Sequence, residues 1–206
     1  LATALLSLVL AIALAFSGPD PVDYEAGGWR PPFGILLQAD ALSRIMVLLT
    51  ALIFLCAILY QCGHEWPGDR QPGKLTYHIT FPLLIFSLNG LMLTADFFNF
   101  YVFFELVAVS SYLLVALGKH HSLEAAWKYA LQSVLGSAVL LAGIAFIYGS
   151  SGSLNMADVF RRLNTPVAFL APFILTAFLI KGSLFPFHFW QPDAHAAATT
   201  AGSAIL

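Results

Sequence analysis

Apolar runs long enough to cross a bilayer core, which takes about 20 residues, recur along this chain between short breaks of glycine, proline and charge. A chain patterned this way has few folds open to it. Backbone groups in hydrocarbon must hydrogen-bond internally, which leaves helices or closed barrels, and these runs lack the two-residue alternation of barrel strands. The fold class that follows is all-α, a polytopic transmembrane helical bundle. Composition agrees, because 10% of residues are charged and mean hydropathy is +0.82, whereas ordinary soluble domains carry about a quarter charged residues.

The runs predict spans at about 1–16, 41–60, 77–93, 97–117, 125–148 and 167–190, the last interrupted at Pro186. Between the first two, Gly18, Pro19, Pro21, Gly27, Gly28, Pro31 and Pro32 mark an extramembrane loop ending near Asp40. A second loop covers Gly63 to Lys74, a polar connector holds Lys119, His120, His121 and Glu124, and a third loop covers Gly149 to Pro166. The first loop is mostly acidic while Arg70, Lys74 and Lys119 make the next ones basic, so the positive-inside rule puts the first loop outside; Arg161 and Arg162 run against that scheme. The first run lacks the basic lead of a signal peptide, since nothing before Arg30 is Lys or Arg, and it reads as a cut-off helix, as does the apolar end at Ile205 and Leu206.

Nine Lys and Arg stand against eleven Asp and Glu, with no basic stretch to neutralise a phosphate backbone, so nucleic acid is not a partner. Cys56 and Cys62 have neither ligand spacing nor a disulfide framework around them. No metal or cofactor site is expected: there is no dinucleotide fingerprint, cluster cysteine set or haem pattern.

A charge at mid-bilayer costs about 2.5–3.5 kcal/mol on insertion scales, so each one is informative. Eight uncharged residues separate Glu105 from Asp96 and thirteen separate it from Lys119. Snorkelling to either surface is therefore blocked. At helical spacing Tyr101, Ala108 and Tyr112 share its face, and the two tyrosine hydroxyls are candidates to hydrogen-bond the carboxylate. The bland alternative is a neutral glutamic acid that ties helices together. Lys181 is followed by Gly182 and Pro186, and the proline cannot bond to the Gly182 carbonyl, so the helix should break beside the lysine. Broken helices at membrane depth often line ion paths, although a lysine snorkelling from a helix end would look similar.

Lys128 lies four residues after Glu124, which suits a simple interfacial ion pair; Gln132 and Ser133 one turn deeper would instead extend a polar track into the bundle. His188 and His195, with Asp193 between them, flank the expected break and are proton-shuttling candidates or ordinary satisfied histidines.

The string TADFFNFYVFFELVAVSSYLLV, from Thr94 to Val115, resembles the proton-conducting antiporter-like subunits shared by Mrp-type cation/proton antiporters, complex I and membrane-bound hydrogenases. Three further stretches agree in order: FGILLQADALSRIMVLLTALI, SLEAAWKYALQSVLGSAVLLAGIAFIYGSSGSLNMADV and FLIKGSLFPFHFWQPDAHAAA. DFFNFYVFFE and SGSLNMADV look most like the D-type members of the Mrp antiporters. The resemblance implies a single transmembrane domain over 1–206 with a family core at about 77–206, and it puts the family's buried pair on Glu105 and Lys181.

It also implies a partial subunit of a larger two-half protein, partners among other membrane subunits, and protons with Na+ or K+ as cargo in the cell membrane. Where the family commonly has a Pro-rich segment after PDAH, this chain has Ala196 to Ala201 with Thr199 and Thr200. The function expected is a secondary transporter subunit rather than an enzyme. The alternative is a non-redox, proton-pumping subunit of an NADH:quinone oxidoreductase or hydrogenase complex.

Overall fold

A computed structural model describes residues 1–63, 71–118, 121–162 and 167–206. Helices α1 (Ala2–Ala15), α2 (Ala41–Cys62), α3 (Gln71–Leu93), α4 (Phe97–Ala116), α5 (Ser122–Ser151), α6 (Met156–Arg162), α7 (Val167–Lys181), α8 (Trp190–Ala197) and α9 (Thr200–Ser203) make up the bundle. Among the described residues, four helices are long and apolar enough to cross a membrane: Ala41–Cys62, Leu75–Leu93, Phe97–Ala116 and Ser122–Ser151. The first and last expected spans are shorter. α1 has 14 residues and α7 has 15, which at 1.5 Å per residue falls well short of a hydrocarbon core about 30 Å thick.

The loop expected before Asp40 is not structureless. Strands β1 (Val22–Glu25) and β2 (Leu36–Ala39) pair antiparallel, with Val22 opposite Ala39 and Glu25 opposite Leu36. The many Gly and Pro residues around them conceal strands this short, so that residue pattern alone assigns the segment to loop. β2 in turn bridges Thr94, and Asp96 bridges Asn155, so the hairpin, the α3–α4 turn and the segment before α6 share one end of the bundle. Asp40 caps α2 by accepting from the Ser43 backbone N–H at 2.7 Å, and that bond holds its carboxyl below the ordinary value of 3.8. The buried Arg44 guanidinium donates to the carbonyls of Gly18 and Asp20, pinning the start of the hairpin segment to α2. The third loop is likewise shorter than expected, because α5 runs on to Ser151 and α6 starts at Met156. Of the second loop and the polar connector, 64–70 and Lys119 with His120 lie outside the described residues.

Apolar side chains fill the helix contacts and also cover the outside. Ala4, Phe54, Tyr77, Phe81 and Leu84 pack α1, α2 and α3 together, while Leu42, Ile79, Leu135 and Leu175 point outward and remain exposed. That is the pattern of a bundle solvated by hydrocarbon, in which hydrophobicity does not distinguish inside from outside.

α5 is the element on which the site depends. Its residues Ser133, Gly136, Ser137, Leu140, Gly143 and Ile144 are all buried and recur at the three- and four-residue spacing of one helix face. A Cβ on Gly136 would lie 3.0 Å from the Ile180 methyl and 3.1 Å from Lys181 Cγ, and one on Gly143 would lie 3.0 Å from both Phe173 and Ile174. Two glycines seven residues apart thus let α7 lie directly on α5, as small residues do in membrane helix packing.

Candidate ion-pair site

α4 begins at Asp96, whose side chain accepts from the Asn99 backbone N–H at 2.8 Å. Glu105 comes nine residues later, about 13 Å along the helix axis, which places its carboxylate near the middle of α4. α7 ends at Lys181. The chain then turns, with Gly182 N–H bonding to Phe178 O at 2.7 Å, Leu184 N–H to Leu179 O at 3.0 Å, and Ser183 in the left-handed region at φ 54°. The break expected between Lys181 and Pro186 is therefore present, and its helical end is at the lysine itself. A cation in the last turn of a helix faces the negative end of the helix dipole, which favours its charge.

The two charges meet. Lys181 Nζ lies 3.0 Å from Glu105 Oε1. Ser137 Oγ on α5 donates to the same oxygen, and the ammonium sits 4.4 Å from the centroid of the Phe104 ring. The lysine side chain is 9% exposed and the glutamate side chain 30%. A buried ammonium is thus held by a carboxylate on one side and an aromatic face on the other, in surroundings where such contacts are stronger than in water. Gly136, one residue before Ser137, gives the lysine stem room to cross α5.

The tyrosines expected to bond Glu105 do not. Tyr101 packs against the cluster of Leu140, Ile144 and Ala177, and the Tyr112 and Tyr129 rings meet edge to face at 6.3 Å. The hydroxyl that bonds the carboxylate comes instead from Ser137 of the neighbouring helix α5. Lys128 forms the expected pair with Glu124 at 2.9 Å and a second one with Asp193 Oδ2 of α8, also at 2.9 Å, with its own side chain 47% exposed. Gln132 is half-buried one turn further along α5.

His188 lies between the rings of Phe185 and Phe189, at 5.9 and 4.5 Å, and its Nδ1 is buried without a protein partner among the described residues. His195 Nδ1 lies 3.0 Å from Ser203 Oγ. The fold therefore joins Glu105 to Lys181 and Lys128 to Asp193, and it gives the two histidines contacts of their own. Among the described residues no three His, Cys, Asp or Glu side chains gather as metal ligands. Sequence reasoning missed Ser137 and Phe104; the signal was there in the Gly136–Ser137 dipeptide on a small-residue face, and in an aromatic directly before the glutamate.

Residues 94–206, more than half of the chain, match the family model described as NADH:quinone oxidoreductase/Mrp antiporter, TM. The chain is 35% identical over 186 residues to the D-type subunit of the Na(+)/H(+) antiporter of Bacillus subtilis (strain 168), covering 87% of this chain and 37% of that protein. It is also 35% identical over 196 residues to the N-type subunit of the NADH-quinone oxidoreductase of Desulforudis audaxviator (strain MP104C), covering 93% of this chain and 39% of that one. Among solved structures, the Mrp complex from Dietzia sp. DQ12-45-1b superposes with a TM-score of 0.82 at 28% identity, over 99% of this chain and 39% of the matched chain. The chain spans about two fifths of the length of the curated relatives it matches. With an acid on α4 paired to an amine at the end of α7, this multi-pass membrane chain belongs to the NADH:quinone oxidoreductase/Mrp antiporter transmembrane family.

Proposed function

We propose that the chain is the proton-conducting part of one subunit in a multi-subunit monovalent cation/proton antiporter, working in the cell membrane beside other membrane subunits. The observation that carries this reading is the contact of Glu105 with Lys181 at 3.0 Å, deep in the bundle and shared with Ser137. An opposite charge in contact favours a charged amine, while removal from water favours a neutral one. Making and breaking this contact therefore takes up and releases a proton at mid-membrane. Lys128 with Asp193, and His188 and His195 beside the helix break, extend the route, and Na+ or K+ is the exchanged cation. Transport of this kind needs no covalent chemistry and no resident cofactor.

A second reading is supported by the 35% identity to an NADH-quinone oxidoreductase subunit over 93% of the chain. There the same ion pair serves a proton pump driven by redox subunits. Vesicles carrying the complete protein with its partner subunits separate the two readings, according to whether a Na+ or K+ gradient or NADH oxidation drives the pH change. In the same assay E105A and K181A abolish coupled proton movement while the protein stays in the membrane. Normal transport by both variants overturns the ion-pair reading in either setting.

A further inference from the structure

Arg161 and Arg162 run against the positive-inside scheme, and the fold sharpens the conflict. The Leu37–Thr94 and Asp96–Asn155 bridges gather the hairpin segment, the α3–α4 turn and the start of α6 at one end of the bundle, so the two arginines share that end with Asp20, Asp23 and Glu25. Membrane topology therefore gives no account of them.

α6 follows directly on α5, which is long and apolar enough to cross a membrane, and precedes the apolar α7. It lies where hydrocarbon gives way to headgroups. Its inner face is Val159, buried with Ile147 of α5 and Leu170 of α7, and the Asn155 side chain fixes its start by accepting from the Asp158 backbone N–H at 3.2 Å. Ala157, Phe160 and Arg161 recur at three- and four-residue spacing on the opposite face and are exposed, Phe160 at 82%. Among the described residues Arg162 meets Asp158 at 3.7 Å, beyond hydrogen-bond length, and Arg161 pairs with no acid. Two guanidinium groups and a ring thus face away from the protein with little to neutralise their charge.

The surroundings have the polarity of a lipid. Just inside the membrane from α6, Phe146 of α5 and Phe169 of α7 are exposed, with ring centroids 5.5 Å apart. At the same end of the bundle Tyr24 and Trp29 of the hairpin segment are exposed too, and such rings collect at the level of headgroups. A basic edge above an aromatic surface matches a charged headgroup above acyl chains.

We propose that α6 is a docking surface for an acidic phospholipid, with Arg161 and Arg162 on its phosphate and Phe160 at the top of its chains. The planar fork of a guanidinium fits phosphate oxygens in pairs, and the bilayer supplies the chains. This surface stands apart from the Glu105–Lys181 pair and does not depend on the ion-pair reading.

The test uses the complete protein with its partner subunits in phosphatidylcholine vesicles doped with photoactivatable phosphatidylglycerol or, in parallel, photoactivatable phosphatidylcholine. Labelled peptides are located by mass spectrometry. Phosphatidylglycerol should label the peptide holding residues 156–162 well above phosphatidylcholine. R161Q/R162Q should lower that labelling roughly thirtyfold, the order expected for two basic residues at an anionic headgroup, while other peptides label as before. R161K/R162K, which keeps both charges, should retain most of it. Equal labelling by the two lipids overturns the proposal, and so does an equal loss in the glutamine and lysine variants. Cross-linking of this peptide to a partner subunit in place of lipid makes α6 a protein interface and overturns it as well. Loss of the label when glycerol phosphate is added to the buffer assigns the arginines to a free phosphate instead.

Discussion

Two lysines in this chain meet carboxylates at nearly the same distance, 3.0 Å for Lys181 and 2.9 Å for Lys128, yet they do different physical work. Lys181 is enclosed, with one carboxylate, one aromatic face and a helix end to hold its charge. Lys128 is half in the open, and it shares two carboxylates whose own side chains are 61% and 49% exposed. A solvent-exposed pair contributes little, whereas removing one partner of a buried pair leaves a stranded charge at about 3–5 kcal/mol. Distance alone does not set what an ion pair is worth. Burial does.

The largest effect should come from stranding the deep lysine. E105Q should destabilise the protein by about 3–5 kcal/mol, read as a drop in detergent melting temperature, and adding K181M should recover most of it without restoring transport. A double variant as unstable as the single one would show that packing, and not the uncompensated charge, governs this region. Next in size is G136L. Its side chain would drive into Ile180 and the Lys181 stem, an overpacking penalty of about 1–3 kcal/mol, and it should impair transport more than an equal destabilisation placed at the exposed end of α5. Smallest is D193N, which should lower the melting temperature only slightly, with the shift vanishing in high salt. A large, salt-insensitive loss would put the Lys128 cluster in the same class as the deep pair and erase the contrast.

Glu105 and Lys181 were legible because a charge inside a 20-residue apolar run is expensive wherever it appears, and Pro186 announced the helix break by chemistry that needs no partner. The hairpin between α1 and α2 was not legible, since its strands are four residues each and β2 is anchored by a bridge to Thr94 that lies far off in sequence. Among the described residues no tyrosine hydroxyl bonds Glu105, for a related reason. A helix face gives direction, but which side chain reaches a carboxylate depends on the neighbouring helix, and α5 presented Ser137 there.

By itself the sequence determined that this chain lives in a bilayer as helices, which charges fall inside apolar runs and that the helix carrying Lys181 breaks before Pro186, because those follow from the local cost of exposing backbone and charge to hydrocarbon. Only the tertiary structure decided that the acid and the amine touch, and that a serine and an aromatic ring hold them. Those depend on the register of α4 against α5 and on how closely α7 can approach at Gly136. Lipid is as apolar as the residues that pack these helices, so hydrophobic pattern cannot encode that register.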